Sequence, residues 1–135
     1  MVRPALAIPL VLAALASGCG ANPSSAGDFE GEEKNVAEVV EKLQSAGETG
    51  DAGEICGELL AKRLSDQIQE TGSTCDQELE KALGDADDFD LEVEAVTVSG
   101  TSATAKVKGR IGDRDGVRDL RLVREGADWR LSDLG

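Results

Sequence analysis

Histidine and tyrosine are missing altogether from this 135-residue chain. Their absence removes the commonest general base and the phenolic proton donor from any catalytic scheme. With no histidine to activate a serine or a cysteine, nucleophilic catalysis of the triad type is excluded as well. Aromatic side chains are three in all, Phe29, Phe89 and Trp129, too few for the stacking platforms on which nucleobase recognition rests. A zinc site would need two good ligands beyond Cys56 and Cys75. Long hydrophobic runs are lacking too. The one apolar stretch, Ala5 to Ala16 with Pro9 inside it, falls well short of the ~20 residues that span a bilayer.

That short stretch has the length of a signal-peptide core, follows the single base Arg3 and has no acid before Cys19. It ends in Leu15-Ala16-Ser17-Gly18-Cys19, which looks like a lipobox: small side chains flank the bond to be cut, and the cysteine thiol accepts diacylglycerol. Residues 1–18 are therefore expected to be a lipoprotein signal peptide and Cys19 the lipidated N-terminus of the mature chain. The membrane is then a partner through that lipid, and the protein sits on the extracytoplasmic face of the cell membrane. Each buried methylene contributes ~0.8 kcal/mol, so two or more acyl chains hold a protein stably where one does not. Residues 19–34 begin small and polar and then carry Asp28, Glu30, Glu32 and Glu33. They are expected to form a flexible acidic tether, with order starting near Lys34 or Asn35 and a single domain over 35–135.

Without the leader the chain keeps 27 acids against 13 bases. A charge this negative disfavours nucleic acid and anionic lipid headgroups as partners. Export also places the chain where disulfides persist. With Cys19 used for lipid, Cys56 and Cys75 are the right number for one bridge, and closing that loop is worth ~3 kcal/mol in the chain-entropy treatment.

Val36, Val39, Val40, Leu43 and Ala46 recur at helical spacing opposite Glu38, Glu41, Lys42 and Gln44, and Gly47 is placed to stop that helix. Asp51 with Glu54 forms a capping box for a second helix carrying Ile55, Cys56, Leu59 and Leu60 inward. Leu64 and Ile68 mark a third segment closed by Gly72, and Thr74 with Gln77 caps a fourth with Leu79, Ala82 and Leu83 on one face. From Phe89 the period becomes two. Leu91 and Val93 are in one phase, Val96 and Val98 in the other, which predicts a β-bulge near Glu94-Ala95. Turns at Ser99–Ser102, Gly112–Gly116 and Gly126 separate strands marked by Ala103, Ala105, Val107 and Ile111, by Leu120 and Leu122, and by Trp129 and Leu131. Helices followed by an antiparallel meander of about four strands define an α+β domain.

The helix ending in Gly47, Gly50 and Asp51, the cysteine-bearing helix after it, and the bent meander closing on Trp129-Arg130-Leu131-Ser132-Asp133-Leu134 resemble the NTF2-like superfamily. The resemblance covers about 100 residues and is closest to the small lipoproteins of high-GC Gram-positive (actinobacterial-type) bacteria. It implies a sheet bent into a cone around the helices, with Val36, Val40, Leu91, Val107, Leu122 and Trp129 lining its interior or filling it. Members include ketosteroid isomerases and polyketide cyclases, with an acid–base residue inside the cone, and also binding, scaffolding and dimerisation domains. Fold alone does not choose among these.

The residues favour the non-catalytic side, with no cofactor. Asp90 and Glu92 alternate with apolar neighbours and so point outward; Glu94 at the bulge reaches the interior only if the bulge re-aims it. Asp85-Ala86-Asp87-Asp88-Phe89-Asp90 fails as an EF-hand, because Asp90 falls where glycine is needed and Val96 where the bidentate glutamate belongs. Arg110, Arg114, Arg118, Arg121 and Arg124 form either a cationic face or cross-strand pairs with acids. The expectation is a binding or interaction module for a small apolar ligand or another envelope protein. The rivals are a small isomerase- or cyclase-like enzyme and a structural protein with a filled cone. Pairing of exposed sheet faces in the superfamily implies that a homodimer is open to it.

Overall fold

A computed structural model describes residues 26–84, 89–111 and 114–135. It contains four helices and a four-stranded antiparallel sheet, so the chain is α+β. Helix α1 spans Gly31–Thr49 and buries Val36, Ala37, Val39, Val40, Leu43 and Ala46 along one stripe. α2, Ala52–Glu54, runs directly into a π-helical turn, Ile55–Leu59. α3 spans Lys62–Gln69 and α4 Cys75–Gly84. The strands β1 (Phe89–Ser99), β2 (Ser102–Ile111), β3 (Arg114–Glu125) and β4 (Asp128–Asp133) pair in sequence order.

Order begins earlier than Lys34. A 3-10 turn, Ala26–Asp28, precedes α1; Ala26 is buried, and its N–H donates to the Glu41 carboxylate. Phe29 packs on the core. This one apolar side chain among acids gives the segment a reason to dock, so of the expected tether only 19–25 falls outside the described residues.

Gly47 does not stop α1. The helix runs on to Thr49 and ends at Gly50, which takes φ 70° while Asp51 N–H reaches back to the Ala46 carbonyl. Gly47 serves a packing role instead. A Cβ there would lie 2.5 Å from the Phe89 ring, so its hydrogen lets the start of β1 close on the helix.

Of the two expected capping boxes, Thr74–Gln77 is complete, while Asp51 caps its helix in one direction only because its own N–H goes to the Ala46 carbonyl. Asp51 Oδ1 accepts from Glu54 N–H at 3.0 Å, and Thr74 and Gln77 exchange reciprocal bonds of 3.2 Å. The bond from Leu60 N–H to the Ile55 carbonyl closes the π turn. This wider turn delivers Leu59, Leu60 and Ala61 to the core in succession. Leu60 then bridges Leu131 in parallel, and Ala61 N–H donates to the Leu131 carbonyl at 2.7 Å. On α4, Leu79 and Leu83 pack against the core while Ala82 is exposed, because the helix rides shallowly and only an i, i+4 line touches.

The disulfide joins Cys56 to Cys75, with Cα atoms 6.1 Å apart. In the sheet, Val93 pairs with Val107 and Ala95 with Lys106, leaving Glu94 as the bulged residue. It is exposed, and the bulge puts Val96 and Val98 back on the face of Leu91 and Val93. Of the residues expected in the second turn, Arg114, Asp115 and Gly116 belong instead to the β2–β3 ladder, where Ile111 pairs with Arg114; Gly112 and Asp113 lie outside the described residues. A second irregularity, where Arg121 pairs with Asp133 but Leu122 with Leu131, leaves Ser132 unpaired. The core lies between α1, the π turn and the inner face of the sheet.

Candidate functional site

Among the described residues the expected lining is packed together. Val36, Val40, Leu91, Val107 and Leu122 are 0–1% exposed and Trp129 4%, all in one packed cluster. A space that admits water leaves exposed area on the side chains around it, and five of these six have almost none. They meet one another as core.

Trp129 alone of the six also reaches a groove of about 470 Å³ between α1, the π turn and β4. Val39, Leu59 and Trp129 make its floor. Glu38 and Lys42 stand on the α1 side, Glu58 on the π turn, Asp128 and Arg130 on β4. Arg130 Nη1 donates to the Gly57 carbonyl at 3.0 Å and ties two of these walls together. The rim is thus mixed in charge over an apolar floor that is already largely covered by protein. Such a surface offers shallow, polar recognition.

Behind the groove the indole N–H of Trp129 donates to Glu32 Oε2 at 2.7 Å. Arg124 lies 3.4 Å from Glu32 Oε1, with its guanidinium 5.8 Å from the indole centroid. The Trp129 bond holds the Glu32 carboxyl below its ordinary 4.5, with Arg124 adding to the effect and desolvation opposing it. A lowered carboxylate pKa stabilises the fold above the unfolded value, and that contribution is lost as pH falls through the folded one. Trp129 is the only tryptophan and there is no tyrosine, so fluorescence reports the surroundings of this one side chain. On acidification the emission should change with a midpoint below 4.5, and Glu32→Gln should remove that transition. A midpoint at or above 4.5 in the wild type would contradict the assignment.

Glu32 was expected in the tether. Phe29, an apolar side chain among acids that packs on the core just before α1, was the signal for an earlier start. The five arginines do not make one face. Buried Leu120 and Leu122 put Arg118 and Arg124 on the inner side of β3 and Arg121 on the outer, while buried Ala105 and Val107 put Arg110 outward on β2. Acids accompany them. Arg110 lies 3.8 Å from its register partner Asp115, Asp90 also pairs with Arg110, and Asp133 pairs with Arg121. Asp90 is exposed, and Glu92 lies on the same outer face of β1, half-buried. Cys19 and the aspartates Asp85, Asp87 and Asp88 lie outside the described residues. Among the described residues, no helix is long and apolar enough to cross a membrane. Compared with protein families, with curated proteins and with solved structures, the chain matches none.

Proposed function

We infer that this chain is a bacterial lipoprotein, cut before Cys19 and anchored by acyl chains on the extracytoplasmic face of the cell membrane. Its NTF2-like domain works by surface contact with another envelope protein and not by catalysis. The leader and its small-residue approach to Cys19 support the anchor. The bulge-bent meander supports the NTF2-like reading. The observation that carries the contact reading is the packed cluster of inward side chains, which favours recognition on the outside of the domain, where the groove at Trp129 is a candidate surface.

The experiment is photo-crosslinking in living cells, with the crosslinker at Asp128 in the groove or at exposed Thr97 on the outer sheet face, combined with fatty-acid labelling. The tethered chain should incorporate label and give a discrete adduct from position 128 alone. Cys19→Ala should lose the label and the adduct together. Label in Cys19→Ala removes the anchor assignment; a labelled wild type without an adduct at 128 removes the groove.

A further inference from the structure

α3 and α4 are attached to the rest of the domain more thinly than α1. That helix buries six side chains; α3 buries none and α4 only Cys75, at 3% exposure. Leu64, Ile68, Leu79 and Leu83 touch the core but remain partly exposed. At the entry to the pair, Lys62 N–H donates to both oxygens of Glu125 at 3.1 and 3.2 Å. Farther along, side-chain bonds run within the pair, from Gln69 to Ser65, from Thr71 to the Ile68 carbonyl, and between Thr74 and Gln77. Segments with little buried apolar surface open at a smaller free-energy cost than the core.

One covalent bond offsets that weakness. Cys75, the most buried side chain of the pair, is joined to Cys56 in the π turn, whose neighbours Ile55, Leu59 and Leu60 are 2–3% exposed. The anchor is in the rigid core and the cargo is the loose pair. Cys56 itself is only half-buried, against 3% exposure for Cys75, and is the more accessible end of the bridge.

We propose that α3–α4 is a flap latched by the Cys56–Cys75 disulfide, opening as one unit when a dithiol reduces that bond. A thiolate of the dithiol attacks Cys56 Sγ, the S–S bond breaks, and Cys75 leaves as a thiolate and is protonated. The second thiol of the dithiol resolves the mixed disulfide. The dithiol is thereby oxidised to its own disulfide, its two protons ending on Cys56 and Cys75. Ala61 is the hinge, since its N–H stays on the Leu131 carbonyl and its side chain stays in the core. The π turn that holds the latch also supplies Glu58 and Leu59 to the groove and stays on the fixed side of the hinge, so opening leaves the groove walls in place.

Hydrogen exchange of the full chain, before and after dithiothreitol, tests this. Relieving a cross-link across a 19-residue separation should speed exchange over residues 63–83 by about a hundredfold, with α1, β2 and β3 unchanged. The Cys56→Ser, Cys75→Ser double variant should show the same pattern without reductant. A bond that stays closed in the native protein overturns the proposal. So does exchange that rises equally in the strands or rises nowhere, and so does a double variant that unfolds outright. None of these outcomes depends on lipid at Cys19 or on a partner at the groove, so the latch and the functional reading fail separately.

Discussion

Gly109→Ala should destabilise the domain by about 3 kcal/mol or more, a large share of the ~5–15 kcal/mol that holds a domain of this size together. Gly109 occupies the inward position after Ala103, Ala105 and Val107 on β2, where the alternation asks for an apolar side chain. It has none because it takes φ 147°, a region that L residues rarely enter. Its β1 partner is Leu91, and a Cβ would fall 2.8 Å from the Asp90 carbonyl carbon, with the carbonyl oxygen closer still. The obstructing atoms are backbone, held in the ladder, and cannot swing aside as a side-chain tip would. Gly116, its partner on β3, has φ 141° but open space around it. Gly116→Ala therefore carries the conformational strain without the collision and should cost less, about 1–2 kcal/mol. Urea unfolding of the two variants separates the terms. Equal losses would mean that the close approach of β1 to β2 contributes nothing.

Leu131→Ala should cost about 3–4 kcal/mol, the range for a leucine removed from a packed interior that relaxes only partly. Leu131 is 0% exposed. It pairs with Leu122 on β3, and its backbone carries the bridge to Leu60 and the bond from Ala61. It is thus where the helical layer and the sheet are fastened together. Leu134, half-buried three residues later, is the control and should lose about 1 kcal/mol when truncated. Because one residue serves both layers, Trp129 fluorescence and far-ultraviolet circular dichroism should report a single unfolding transition in the wild type and in Leu131→Ala. A loss near that of Leu134→Ala would show a loosely packed interior.

The features legible in the sequence are those carried by neighbouring residues. Asp51 with Glu54 and Thr74 with Gln77 announce their helix starts within four positions. The change of phase between Val93 and Val96 announces the bulge within three. The helical stripe of α1 and the alternation of the four strands are local in the same sense, and two remaining cysteines allow one bridge. What escaped depends on distant partners. Gly47 reads as a helix stop until Phe89 is seen against it. Glu32 reads as one more tether acid until Trp129, 97 residues later, donates to it. The π turn answers to Leu131, and the unpaired Ser132 to a register set by β3. The six residues expected to line or fill the interior are buried in one cluster, but whether inward positions enclose a space depends on side-chain volumes summed across both layers, which no local pattern encodes.

The two bulged residues sit on the two outer strands of the sheet, and that placement bears on what happens when copies crowd together. An outer strand with free backbone groups is a template on which another chain can pair. On β1 the ladder is broken at Glu94, Asp90 and Glu92 add negative charge beside the break, and the Gln44 side chain takes the Leu91 N–H at 3.3 Å. On β4 the residues Leu60 and Ala61 lie along the strand, and Ser132 interrupts its register. Neither margin offers a long straight run of donors and acceptors. Margins interrupted at these points are poorer templates for edge-to-edge pairing when copies of the domain crowd together.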